Sequence, residues 1–157
     1  MKRRHSLPVT VGNLTIGGDA PISVQTMSTI TPADEERAVA DVRRLASYGA
    51  EIVRFAVPDM AAAKGLKAVT AASPVPIVAD IHFDYRLALE AVDSGVHALR
   101  INPGNIGADE NVVKVVEKVR SRQIPIRIGI NAGSLPEDLL EANGGHPTAE
   151  AMVEGAL

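Results

Sequence analysis

Short β-branched runs alternate with longer helical patterns along this chain, and that alternation limits the fold more than any other feature. The runs are Ile22–Met27, Ile52–Val57, Val75–Ile81, Ala98–Ile101 and Ile126–Ile130, with helical patterns over Thr31–Tyr48, Asp59–Ala72, Tyr85–Ser94 and Asp109–Gln123 between them. Strand, helix, strand without interruption predicts a parallel sheet with right-handed crossovers. Thr31-Pro32-Ala33-Asp34 offers an N-cap, a proline at the first helical position and an acid three residues after the cap. Gly49 and Gly95 precede the next strands, where a helix C-terminus favours a residue tolerant of positive φ. Ahead of the series, Val9-Thr10-Val11 and Leu14-Thr15-Ile16 flank Gly12-Asn13, a tight-hairpin signal with glycine first in the turn. Such a hairpin can plug the bottom of a barrel or extend a sheet edge.

Two architectures fit. A five-stranded doubly wound sheet suits 157 residues, whereas a closed (β/α)8 barrel takes about 250. Strand ends argue the other way: Gln25 and Thr26, Arg54, Asp80 and His82, Arg100 and Asn102, and Arg127 and Asn131 are all polar. Asp80/His82, Arg100/Asn102 and Arg127/Asn131 are two or four apart and share a strand face. A doubly wound sheet gathers ligands at one switch point, but in a barrel every strand end opens on one mouth. The predicted fold is α/β: an incomplete TIM (β/α)8 barrel of about five βα units, preceded by an N-terminal β-hairpin. Thr148 caps a helical pattern over Ala149–Leu157, which reads as a barrel cut short, residues 1–157 being the N-terminal part of a TIM-barrel domain.

Composition narrows the chemistry. A net charge of −3 and four aromatics give no support to nucleic acid or anionic membrane as a partner. No apolar run approaches the roughly 20 residues that span a bilayer. The basic start Met1-Lys2-Arg3-Arg4-His5 has no h-region behind it, so a cytoplasmic chain is expected. Cysteine is absent, which excludes disulfides, catalytic thiols and thiolate-bound metal or iron–sulfur clusters on this chain's own residues.

Arg54, Arg100 and Arg127 are the main chemical signal. Each sits in a strand expected to be buried on both faces, where an unpaired guanidinium is costly. At a spacing of about 8 Å and an effective dielectric near 20, each pair repels by roughly 2 kcal/mol. A single Asp80 cannot neutralise three; a diphosphate can, through bidentate hydrogen bonds. The competing explanation gives each arginine its own carboxylate on the rim. Asp80 and His82 add a carboxylate and an imidazole at the mouth, with no third ligand at metal-binding spacing. Asn102-Pro103-Gly104-Asn105 and Asn131-Ala132-Gly133-Ser134 can turn backbone N–H groups inward, though they are also ordinary turn chemistry. His5, His97 and His146 are assigned to surface or strand-entry positions. The alanines at 61–63 and 68–72, and Val112, Val113, Val115, Val116 and Val119, are assigned to helix faces that pack on the sheet.

The strings Ile22-Ser23-Val24-Gln25-Thr26-Met27, Ile52-Val53-Arg54, Ala79-Asp80-Ile81-His82-Phe83-Asp84-Tyr85-Arg86, Leu99-Arg100-Ile101-Asn102-Pro103-Gly104-Asn105 and Ile126-Arg127-Ile128-Gly129-Ile130-Asn131 resemble the 4-hydroxy-3-methylbut-2-en-1-yl diphosphate synthase family of isoprenoid biosynthesis. That resemblance implies an N-terminal (β/α)8 barrel and a C-terminal domain carrying a 4Fe–4S cluster on three Cys and a Glu. It implies reductive opening of the cyclic diphosphate of 2-C-methylerythritol, with electrons from flavodoxin or ferredoxin, in a homodimer. It also implies that Arg54, His82, Arg100 and Arg127 hold the diphosphate, with Asp80, Asn102 and Asn131 near the substrate. The family's last three barrel strands, with a Lys and a Ser that contact diphosphate, and all its cluster ligands have no counterpart here. This chain alone is therefore expected to be inactive, with open strand edges that favour pairing with a second chain. Two other readings stand beside it: a non-redox phosphate-binding barrel enzyme of the pterin-synthase kind, and an inactive fragment or binding module.

Overall fold

The computed structural model describes residues 4–156; the basic Met1, Lys2 and Arg3, and Leu157, where the predicted last helical pattern ends, lie outside the described residues. Strands β1 (Val9–Val11) and β2 (Leu14–Ile16) form an antiparallel hairpin with Val11 opposite Leu14, and Gly12 opens its two-residue turn at φ +60°. Five parallel strands follow in sequential order: β3 (Gln25–Met27), β4 (Ile52–Ala56), β5 (Ile77–Ile81), β6 (Ala98–Ile101) and β7 (Ile126–Ile128). Helices α1 (Glu35–Ser47), α2 (Met60–Ala72), α3 (Tyr85–Asp93) and α4 (Asp109–Arg122) make the crossovers, and the short α5 (Glu137–Ala142) and α6 (Ala149–Glu154) follow β7. Sequential strand order is that of a barrel wall rather than a doubly wound sheet. The wall is open, with β3 and β7 as its edges.

The two faces of the sheet are built differently. Val53, Phe55, Ile77, Ala79, Ile81, Leu99 and Ile101 point to the helices and join Val42, Leu66, Val69, Val92 and Val115 in the main core. On the other face, Ile52, Val78 and Ala98 form a smaller apolar layer under Val11, with Leu14 packed against it. The hairpin thus covers the lower inner face instead of extending the sheet. Further along that face the strands turn polar.

Several boundaries differ from the sequence pattern. Helix α1 begins at Glu35, not near Thr31, because the Asp34 carboxylate accepts the Arg37 N–H (3.3 Å) and takes the cap. Thr31 closes a turn instead, its carbonyl accepting the Asp34 N–H. The edge strands are shorter than predicted and lie partly in solvent: the predicted run Ile22–Met27 pairs only over Gln25–Met27, and Ile128 is 53% exposed. The expectation of burial on both faces fails at β7, where Arg127 and Ile128 are both exposed. On α4, Val115 and Val119 reach the core, but Val113 and Val116 are exposed beside the buried stripe.

Gly65 lets α2 approach the segment before α1. A Cβ there would lie 2.0 Å from the Pro32 carbonyl oxygen, so this alanine-rich helix needs a glycine at that point. Gly65→Ala is expected to lower stability by roughly 2 kcal/mol, read from urea unfolding; an unchanged midpoint would refute the close packing. Below the sheet, His97 Nδ1 accepts the Ile77 N–H (3.0 Å), and burial lowers its pKa. A lowered folded pKa means the unfolded chain protonates first, so this stabilisation is present above about pH 6.5 and declines as pH falls below it. Unfolding midpoints at about pH 7.5 and about pH 5.5 should therefore converge in His97→Gln relative to the wild type; equal pH dependence in both would contradict this.

Candidate functional site

Strand register decides which polar ends meet. Met27 pairs with Arg54, Ala56 with Asp80, Asp80 with Arg100, and Arg100 with Arg127. Paired residues of parallel strands point to the same side, so this row stands on the inner face above the hairpin-covered apolar layer. Asp80, on the central strand, is 4% exposed at its side chain and is approached from three directions. Arg100 Nη1 donates to Oδ1 (3.2 Å), Arg54 Nε lies 3.4 Å from Oδ2, and His82 Nε2 lies 3.4 Å from Oδ1. The two guanidiniums are mostly buried, at 25% and 19% side-chain exposure, whereas His82 is half exposed. Phe83 stands edge-on to the His82 ring, 6.0 Å away, and is itself exposed.

The predicted residues fall into two groups. Arg54, Asp80, His82 and Arg100 are gathered by contact. Arg127 is exposed beside Arg100 and, among the described residues, has neither ion pair nor hydrogen bond from its side chain. Neither sequence alternative for the arginines holds in full: they do not have separate acids, and two share one. Against three guanidiniums the row supplies a single carboxylate. Asn102 is 2% exposed; its Oδ1 accepts the Gly104 N–H (3.2 Å), and its Nδ2 is buried without a partner. Arg54 Nε is likewise buried without a hydrogen bond. A buried donor left unpaired costs about 1–3 kcal/mol, so Asn102 Nδ2 marks a place where an acceptor would be stabilising, whereas Arg54 Nε has its charge contact with Asp80 Oδ2. Asn131 is exposed beyond β7, ahead of the 3-10 turn Ala132–Ser134.

One sequence expectation changes here. The Gly104 N–H serves Asn102 within its own turn, which is ordinary turn chemistry, rather than turning inward to the mouth. Two participants were missed: Met27, whose Sδ accepts from Arg54 Nη2 (3.4 Å), and Gly129, which lies directly against the Arg100 guanidinium. A glycine inside a β-branched run is a sign of close approach, and that signal was available at Gly129. Among the described residues, no three His, Asp or Glu side chains gather as a metal would require.

A family model described as the GcpE TIM-barrel domain matches residues 6–157. The chain belongs to this family. Relatives named 4-hydroxy-3-methylbut-2-en-1-yl diphosphate synthase (flavodoxin) are 54% identical over 155 residues in Magnetococcus marinus and 54% over 149 residues in Geobacter sulfurreducens. Those alignments cover 99% and 95% of this chain. A third relative of that name, from Mannheimia succiniciproducens, is 51% identical over 157 residues. The chain spans 42% of the length of each. Among solved structures, a mandelate oxidase aligns over 79% of the chain with a TM-score of 0.47 and 22% identity. Family membership and sequential parallel strands agree on a TIM-barrel wall, here not closed.

Within that wall, Asp80→Asn removes the one carboxylate shared by two partly buried guanidiniums. The variant is expected to lose about 1–3 kcal/mol in urea unfolding, and undiminished stability would mean that the arginines do not depend on Asp80.

Proposed function

We propose that these residues form the substrate-binding barrel portion of a reductive enzyme. It would convert 2-C-methyl-D-erythritol 2,4-cyclodiphosphate to 4-hydroxy-3-methylbut-2-en-1-yl diphosphate in isoprenoid biosynthesis. The excess of guanidinium over carboxylate on the inner face carries this reading, and the names of the relatives support it. Within the row, Asp80 holds Arg54 and Arg100 in place, and Arg127 has no ion pair among the described residues. A diphosphate completes the charge balance by accepting from Arg127 and Arg100, with Asn102 Nδ2 as a buried donor still short of an acceptor. His82, half exposed on Asp80, can donate to a phosphoryl oxygen or relay a proton at the mouth.

The work of these residues is to bind and orient the anionic end of the substrate. A 4Fe–4S cluster does not fit them: there is no cysteine, and no gathered His, Asp or Glu set among the described residues. No electron-transfer step is therefore assigned to this chain. A flavodoxin or ferredoxin donor, a cluster-bearing domain beyond the N-terminal barrel part formed by residues 1–157, and a homodimer belong to the same proposal. The exposed Ile22, Val24 and Met27 at one edge and Ile128 at the other support a covering partner. A pterin-synthase-like group transfer is the weaker reading, because the relatives carry the diphosphate synthase name at about half identity.

Calorimetric titration with the cyclic diphosphate tests the assignment. Arg127→Ala should weaken binding about tenfold with an unchanged unfolding midpoint, since that guanidinium has no partner among the described residues. Equal affinity in wild type and variant, or tighter binding of a pterin diphosphate, would reject it.

A further inference from the structure

Gly129 is the one residue of the inner-face row whose missing side chain is itself a structural element. An ideal Cβ at this position would lie 2.4 Å from Arg100 Nε, 2.4 Å from Nη2 and 2.7 Å from Cζ. Its φ lies outside the left-handed region, so the backbone conformation is not what calls for glycine. Its N–H donates to the Ile101 carbonyl (2.8 Å), which carries the β6–β7 ladder one step past Ile128 and fixes the glycine in place. Two residues earlier, on β7, Arg127 pairs in register with Arg100. The Arg100 side chain therefore leans across β7, with Nη1 on Asp80 and its Nε–Nη2 edge lying on Gly129.

We propose that Gly129 is a positioning residue: a notch immediately after β7 that seats the Arg100 guanidinium beside Arg127, so that both cations face one anion. The inference rests on the diphosphate reading of the site and adds to it the residue that sets the Arg100 geometry. The three atoms nearest to such a Cβ all belong to the far end of a flexible side chain. An alanine at 129 is thus accommodated by swinging the guanidinium aside, and the fold is kept while the site is lost. Repulsion between neighbouring guanidiniums favours that departure, and only the Asp80 contact resists it.

The test is a double-mutant cycle on the chain, with inorganic pyrophosphate as the probe. Gly129→Ala should weaken binding about tenfold, and the same substitution in an Arg100→Ala background should change it less than about twofold. Equal losses in both backgrounds would overturn the inference, as would unchanged binding in Gly129→Ala where Arg100→Ala weakens it. The Nε–Hε NMR resonance of Arg100 decides the matter without ligand: it should shift in Gly129→Ala, and an unmoved resonance overturns the seat. If the wild type binds no pyrophosphate but the resonance shifts, the diphosphate reading fails and the seating of Arg100 stands.

Discussion

Asp80 sits where the sheet's geometry and its charge meet. Its strand is central and its side chain is buried; Arg100, its register partner on β6, reaches it from one side, and Arg54, two residues before its β4 partner Ala56, from the other. A lone buried carboxylate would be costly, and so would two lone guanidiniums; together they are tolerable because each supplies what the others lack. The balance is local and incomplete. Arg127 adds a further positive charge without a further acid, and Asn102 contributes a buried donor that finds no acceptor among the described residues. A structural ion pair would close its own account, whereas this one is left with a surplus of one sign.

Much of this arrangement was visible in the residues. Alternating runs yielded five parallel strands, and a glycine first in a two-residue turn yielded the hairpin. Polar residues two apart at strand ends came out on one face because side chains alternate along a strand. What the pattern could not show was pairing. Ile22 to Val24 look like strand because they are β-branched and apolar, yet an edge segment has a neighbour on one side only and the ladder begins at Gln25. Thr31 and Asp34 are both residue types that cap helices, and the Asp34 carboxylate takes the cap of α1 while Thr31 closes the turn before it.

The sharing of one acid by two arginines was equally hidden. Sequence gives strand positions but not register, and a shift by one residue would have turned Asp80 towards the helices. Val113 and Val116 show the same limit on a helix. Their periodicity matches that of Val112, Val115 and Val119, but the packed stripe is only as wide as the surface beneath it.

The hairpin has an electrical consequence as well as a steric one. By keeping water from Ile52, Val78 and Ala98, it places a low-polarisability floor under the arginine row. Field lines from those cations cannot be quenched from below and are driven outward through the open end of the wall. Encounter with an anion should accordingly be fastest in dilute buffer and slow as ions accumulate, a kinetic trait set by two short strands that touch no substrate.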